Sequence, residues 1–359
     1  MNIGIDGRAL QGARTGIGRY VYELCIRLDK ILPEAIFFVY SPTHIDLPIV
    51  SDRWILRVDN SKWAESLKPV LWLKLMCGRI CRNDNLDFFW GSATFLPRLN
   101  SSVKTVVTVY DLNYKLAPET MGFAHKWAFK LFFKHDIALA NVVVSISKGT
   151  SKRLLNFIGR AADRVIYPAV NSSFYPQPEY LIESVLKKHK LSQPYLLAVA
   201  TWEPRKNLEK LILTFLNMKE QGVLPKHNLL LVGGRGWNDQ HLSQLLNGQD
   251  SVISLGYIND GHLPAIYSGA DIFIFPSIYE GFGMPVAEAI SCGTVTVTSD
   301  TPELREAGGD EGIYITPDST GIRDGILIGL SRIKKTKSRI PPMPTWEYEA
   351  RKLADIFDG

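Results

Sequence analysis

Glu280 and Glu288 stand eight residues apart in the stretch Tyr279-Glu280-Gly281-Phe282-Gly283-Met284-Pro285-Val286-Ala287-Glu288-Ala289. Two carboxylates at that spacing suit either of two chemistries. They hold the hydroxyls of a ligand, or they act as acid and base on a glycosidic bond. The residues between them call for an anion. Gly281 and Gly283 let the backbone pass close to a ligand without a Cβ in the way. Pro285 suits the first turn of a helix, whose free N–H groups and dipole attract a phosphate. A ligand with both hydroxyls and phosphates, such as a nucleotide-activated sugar, meets both demands.

A second set of residues, Thr201-Trp202-Glu203-Pro204-Arg205-Lys206-Asn207-Leu208, comes after another apolar strand. Arg205 offers a planar fork and Lys206 a compact point charge, a pairing suited to a diphosphate. Two cations at a helix start oppose the positive end of its dipole, and an anionic ligand would relieve that conflict. The plainer alternative is a solvated pair of charges before a helix cap at Asn207. In Val107-Thr108-Val109-Tyr110-Asp111-Leu112 an apolar strand delivers Asp111 to its carboxyl end. There it either orients or deprotonates an acceptor hydroxyl, or caps the turn after the strand. The loop Ala13-Arg14-Thr15-Gly16-Ile17-Gly18-Arg19-Tyr20 is neither a dinucleotide fingerprint nor a Walker loop. An ordinary strand-to-helix turn explains it as well as a ligand does.

Positioning these groups needs strand ends, and strand-like and helical runs alternate almost throughout. Strands are expected over 3–5, 35–40, 87–90, 103–109 and 142–146, then over 195–200, 228–232, 252–255, 272–275 and 295–298. Such alternation predicts an α/β chain of two doubly wound parallel sheets facing a cleft. The prolines Pro168, Pro176, Pro178 and Pro194 interrupt the periodicity between the halves. Expected domains are 1–175 and 176–340, with 341–359 a terminal helix, capped by Thr345, returning to the first. A chain of 359 residues is long enough for two cores.

Composition narrows the partners. No apolar run reaches the ~18 residues of a membrane span. The start, Met1-Asn2-Ile3-Gly4, lacks the layout of a signal peptide, which predicts a cytoplasmic protein. Four cysteines without metal-ligand spacing read as reduced thiols. Residues 1–180 carry 23 Lys+Arg against 15 Asp+Glu, and the remainder 18 against 21. The basic half suits an anionic substrate or an anionic membrane surface, since no nucleic-acid-binding motif is present. Its segments 67–82 and 125–140 mix aromatics with cations. They read as membrane-interface helices or as core-facing helices with a solvated stripe.

The order of Glu203-Pro204-Arg205-Lys206-Asn207, Leu231-Val232-Gly233-Gly234, Tyr279 to Ala289 and Cys292-Gly293 resembles glycosyltransferase family 4. Those enzymes are retaining, use nucleotide sugars and have the GT-B fold. The resemblance spans nearly the whole chain and is densest from Tyr195 to Gly309. It implies that Arg205 and Lys206 hold the donor diphosphate, Glu280 the sugar and Glu288 the ribose. It also implies that Phe282, Gly283 and Met284 meet sugar and phosphate through backbone, that Tyr257 and Ile258 meet the base, and that Gly16 and Gly18 approach the donor. The family shows His-Asp where this chain has Tyr110-Asp111, which removes an imidazole from the sugar side.

For the reaction, the resemblance implies front-face transfer, with the leaving phosphate as base. No metal or other cofactor is expected, because the two cations and the helix dipole do a metal's task and the sequence has no Asp-x-Asp pattern. The segments Ile3 to Leu10 and Thr15 to Tyr20 resemble bacterial mannosyltransferases of surface polysaccharide (O-antigen) assembly. The expected donor is therefore GDP-mannose, ahead of dTDP-rhamnose, UDP-glucose and UDP-N-acetylglucosamine. The expected acceptor is a saccharide, on a lipid diphosphate, met at the inner face of the cytoplasmic membrane. A glycoside hydrolase would not need Arg205 or Lys206, a phosphorylase of the same fold needs pyridoxal phosphate, and a sugar-binding module would form no product.

Overall fold

The computed structural model describes every residue except 13–15, 48, 50, 65, 119–121, 235, 237–239 and 334–342, together with the side chains of 123–125, 240 and 241. The start of the glycine loop (13–15) and the late linker of lysines and prolines (334–342) thus lie outside the described residues. Two compact units are present: Met1–Ala169 with Pro344–Gly359, and Val170–Met343.

In the first unit, β1 (Asn2–Asp6), β2 (Ile36–Ser41), β3 (Trp54–Val58), β4 (Phe88–Gly91), β5 (Lys104–Val109), β6 (Val142–Ser145) and β7 (Arg164–Val165) form one sheet ordered β3-β2-β1-β4-β5-β6-β7. Every pairing in it is parallel. Parallel strands are covered on both faces, which is why Phe37, Val39, Phe89, Val107 and Val143 are buried and apolar without alternation. The helix Gly16–Ile31 comes after β1 and buries Tyr20, Val21, Leu24, Cys25 and Leu28, the single stripe its periodicity predicts.

Two further helical runs, 69–83 and 123–139, pack on the same core. Each contains a π-helical turn, Leu73–Cys77 in one and Phe129–Phe133 in the other. A buried ion pair, Lys74 with Asp136, ties the two runs together. Cys77 and Cys81, one helical turn apart, are buried free thiols with sulfurs 3.8 Å from each other.

The helix Trp346–Asp358 also belongs to this unit. Thr345 caps it, accepting from the Tyr348 N–H at 3.3 Å. Glu349 accepts the Tyr167 N–H at 2.7 Å, Glu347 pairs with Arg27 at 2.9 Å, and Trp346 packs edge-on to Tyr20.

The second unit holds β8 (Tyr195–Val199), β9 (Asn228–Val232), β10 (Val252–Gly256), β11 (Ile272–Phe275), β12 (Val295–Ser299) and β13 (Ile313–Ile315), ordered β10-β9-β8-β11-β12-β13. All of its pairings are parallel as well. Both sheets are Rossmann-like, and each reverses its strand order once, at β1/β4 and at β8/β11. Ligands of such sheets bind at the carboxyl ends beside the reversal. Strands β3, β7 and β13 are absent from the sequence expectation. β7 has two residues and β13 three, too few to register as a periodic run, and β3 is an edge strand behind a long loop. Among the described residues no helix is long and apolar enough to cross a membrane.

Candidate active site

The reversal in the second sheet brings the segments after β8 and β11 side by side. Arg205 and Lys206 sit on a 3-10 turn, Pro204–Lys206, just past β8. Glu280 lies just past β11. The turn and the strand end are stitched through the backbone, the Ile278 N–H donating to Arg205 O at 2.8 Å.

Two motifs predicted separately, Arg205-Lys206 and Glu280, thus meet in one cluster. Lys206 Nζ donates to Glu280 Oε1 at 2.6 Å, and Arg205 Nη1 donates to Glu280 Oε2 at 2.9 Å. Arg205 Nε reaches Glu203 Oε2 at 2.8 Å, and Ser277 Oγ donates to Glu280 Oε1 at 2.7 Å. The Lys206 ammonium also lies 5.0 Å from the centre of the Phe275 ring, within cation–π range. The side chains of Lys206 and Glu280 are each only 10% exposed, so their charges are weakly screened by water.

Burial alone would push the Glu280 carboxyl up. The charges of Lys206 and Arg205, with hydrogen bonds from Lys206 and Ser277, outweigh it and hold the carboxyl below its ordinary value of 4.5. Burial has the opposite sign of effect on an ammonium and lowers Lys206, although Glu280 pulls it back toward the charged form.

Asn207 does not cap the following helix, Leu208–Glu220, with its side chain. It adopts the left-handed conformation (φ 58°), which leaves Nδ2 to donate to Pro276 O at 3.2 Å and Pro317 O at 2.8 Å. It therefore ties the loops after β8, β11 and β13 together beneath the cluster.

The helix Met284–Ser291 starts where the sequence places it, with Gly283 as cap and Pro285 in the first turn. Gly283 has φ 106°, and a Cβ there would meet Leu304 Cδ2 at 2.5 Å. The conformation requires glycine, and a Cβ would in addition have to push the Leu304 methyl aside. We expect Gly283→Ala to destabilise the fold by about 1–3 kcal/mol, seen as a lowered thermal midpoint; an unchanged midpoint would refute the tight fit.

Glu288 lies on this helix and accepts from the Tyr267 hydroxyl at 3.0 Å. Burial and then the Glu288 charge push the Tyr267 phenol well above its ordinary value, so it remains a donor at any ordinary pH. Gly256 has φ 64°; Tyr257 beside it is exposed and Ile258 buried.

Gly16, Gly18 and Asp111 belong to the first unit. Gly18 is inside the start of its helix, where a Cβ would meet Ala9 O at 2.6 Å, whereas Gly16 faces open space. Asp111 lies just past β5 and accepts from the Asn113 N–H at 3.0 Å and Asn113 Nδ2 at 2.8 Å, the turn-capping arrangement. The Tyr110 hydroxyl, in place of an imidazole, donates to Ser92 O at 2.6 Å inside the core. Ser147 caps its helix by accepting the Thr150 N–H at 2.9 Å. No cluster of three or more metal-ligating side chains occurs among the described residues.

Sequence reasoning missed Ser277, Tyr267 and the bracing role of Asn207. The only trace of Ser277 was a hydroxyl directly behind an apolar strand.

Two Rossmann-like units, each built on a parallel sheet, place the chain in the GT-B class of fold. Sucrose-phosphate synthase from Thermosynechococcus elongatus superposes with a TM-score of 0.72 at 18% identity, over 99% of this chain and 98% of that one. Residues 183–326, all within the second unit, match the family described as glycosyl transferases group 1. O-antigen chain mannosyltransferase B of Escherichia coli is 29% identical over 322 residues, 85% of this chain and 84% of the relative. The serotype-specific mannosyltransferase WbdA of Escherichia coli is 29% identical over 251 residues, 65% of this chain, which spans only 30% of that protein's length. The chain carries a glycosyl transferases group 1 domain and is a glycosyltransferase.

Proposed function

We propose that this glycosyltransferase is a retaining, metal-independent mannosyltransferase. It moves mannose from GDP-mannose to a saccharide of bacterial surface polysaccharide, the O-antigen type. The observation that carries the reading is the cluster of Arg205, Lys206 and Glu280 at the ends of β8 and β11. The names of the relatives support mannose and the O-antigen setting.

The donor diphosphate takes the two cations from Glu280, which turns to the sugar hydroxyls. Glu288 holds the ribose, while the backbone of Phe282, Gly283 and Met284 meets sugar and phosphate. Backbone at Tyr257 and Ile258 meets the base, and Gly16 and Gly18 approach the donor. As the bond from the anomeric carbon to the diphosphate breaks, Arg205, Lys206 and the helix start stabilise the charge on the leaving oxygen. Two cations and a dipole perform there the task a divalent metal has in other transferases. The acceptor hydroxyl, oriented by Asp111, then bonds to the anomeric carbon on the same face. Its proton passes to the leaving phosphate, giving product and nucleoside diphosphate.

Thermal unfolding with GDP, UDP, dTDP or ADP tests the donor, since a tight binder raises the midpoint by mass action. GDP is expected to give the largest shift; protection by UDP or dTDP alone would reject GDP-mannose. An inverted product anomer, read by NMR, would reject retention.

Tyr267→Phe is expected to narrow the preference for ribonucleotide over 2′-deoxyribonucleotide by roughly threefold to tenfold, a fraction of the charge-assisted bond that holds Glu288 in place. Competition binding with the two nucleotides measures it. An unchanged preference would mean that Tyr267 does not orient Glu288.

The acceptor saccharide is carried on a lipid diphosphate and met at the inner face of the cytoplasmic membrane, a reading supported by the basic balance of residues 1–180. Flotation with anionic liposomes at low salt is expected to carry the protein upward, and no flotation would rule the contact out.

A further inference from the structure

Two cavities of the first unit meet at Lys74, Leu75 and Arg98. The first, of about 610 Å³, has four cations in its wall (Lys74, Arg79, Arg82 and Arg98) and, among the described residues, no acidic one. Arg79, Arg82 and Arg98 have no ion pair with a carboxylate among the described residues. Burial, together with the charges of Arg8 and Arg98, pulls the Lys74 ammonium below its ordinary value even beside Asp136. Cations are therefore crowded here, and an anion would relieve the repulsion.

The second cavity, of about 770 Å³, has a different character. Leu71, Leu75, Leu99, Leu131, Phe132 and Leu139 line it. Leu75, Leu131 and Leu139 are each more than half exposed, at 52%, 60% and 64%. Apolar area left in water on that scale marks a surface waiting for apolar cover.

The walls are also built irregularly at the same place. The π-helical turn Leu73–Cys77 supplies Lys74 and Leu75, and the π-helical turn Phe129–Phe133 supplies Leu131 and Phe132. Such turns are rare and concentrate at functional sites. Gly78 lets the helix backbone lie directly on the loop that carries Arg98, since a Cβ there would stand 2.1 Å from Arg98 O. The Lys74–Asp136 pair then fixes one wall against the other.

We propose that the two cavities form one site for a single lipid diphosphate, with its phosphates on Arg79, Arg82 and Arg98 and its hydrocarbon chain over the leucines. Guanidiniums match phosphate oxygens in pairs, and the contiguous apolar floor accounts for the tail. As an acceptor site it rests on the glycosyltransfer reading above; as a binding site it is tested without turnover.

Farnesyl diphosphate serves as a monomeric probe, with inorganic pyrophosphate and farnesol as its head and tail alone. Calorimetric titrations use the full chain, both wild-type and Lys206→Ala, so that donor-side cations are accounted for. Farnesyl diphosphate is expected to bind in both chains, roughly tenfold or more tighter than either part. Replacing Arg79, Arg82 and Arg98 together by Gln is expected to weaken it by a similar factor. Leu131→Asp with Leu139→Asp is expected to weaken farnesyl diphosphate and leave pyrophosphate unchanged.

Three outcomes overturn the site: pyrophosphate binding as tightly as farnesyl diphosphate, no effect of the arginine replacements, or binding to anionic vesicles but not to the monomer. Transfer to a lipid-free saccharide should survive the arginine replacements. If wild-type protein transfers to no acceptor at all, the glycosyltransfer reading fails, and the lipid site is judged by the titrations alone.

Discussion

Replacing Lys206 with alanine is expected to lower kcat/KM by roughly a hundredfold to a thousandfold, the loss typical of removing one preorganised charge stabiliser. Its ammonium lies 2.6 Å from Glu280 and 5.0 Å from the Phe275 ring centre, in a site where water screens little. Arg205 alone would then face the charge on the departing diphosphate. Donor affinity should fall with turnover, because the same cation holds ground state and transition state. Breaking a buried pair costs about 3–5 kcal/mol when the surviving charge is orphaned. Glu280 is not orphaned, since Arg205 at 2.9 Å and Ser277 at 2.7 Å remain. The stability loss should therefore be smaller, roughly 1–3 kcal/mol. Initial rates against donor concentration measure the first effect and chemical denaturation the second. A variant with wild-type kcat/KM would remove Lys206 from the mechanism.

Glu280→Gln is expected to separate binding from turnover. In the protein without ligand, the carboxylate occupies the two cations that a diphosphate needs. An amide keeps the shape and gives up the charge, so nucleoside diphosphate should bind as tightly as before or more tightly. Turnover should fall by roughly tenfold to a hundredfold, the worth of a charge-assisted hydrogen bond to the sugar. Affinity falling in step with kcat would instead make Glu280 a mere anchor for the cations.

The same substitution has a pH signature. The Glu280 carboxyl is lowered in the folded protein relative to 4.5, so its stabilising contribution is complete above that value. It is lost as pH falls through the folded value. The difference in thermal midpoint between wild type and Glu280→Gln should therefore narrow below pH 4.5. A difference independent of pH would contradict the ion pairing.

How much of this was legible in the residues depends on the range of the interaction involved. β8, β9 and β11 are runs of buried aliphatic and aromatic residues bounded by turn residues, and such runs announce themselves. β7 and β13 owe their existence to a neighbour's edge rather than to their own pattern, so nothing local marks them. Arg205, Lys206 and Glu280 were readable by type and by their place behind strands. Their mutual pairing was not, because it spans 75 residues and exists only where β8 lies beside β11. Tyr267 was hidden for a related reason: it is a core aromatic on a short helix, and its hydroxyl finds Glu288 only after folding. Asn207 looked like a helix cap because asparagine favours that position. Its left-handed backbone redirects the amide toward two loop carbonyls instead.

The helix Trp346–Asp358 completes the core of the unit that contains β1, with the entire second unit lying between them in the chain. During synthesis the second unit has all of its residues outside the ribosome before the first one does. Until Trp346, Leu353 and Phe357 emerge, the face around Tyr20 and Phe88 that they cover stays open to water. Domains usually mature in the order of their translation. Here the order inverts, and the half that begins first is sealed last.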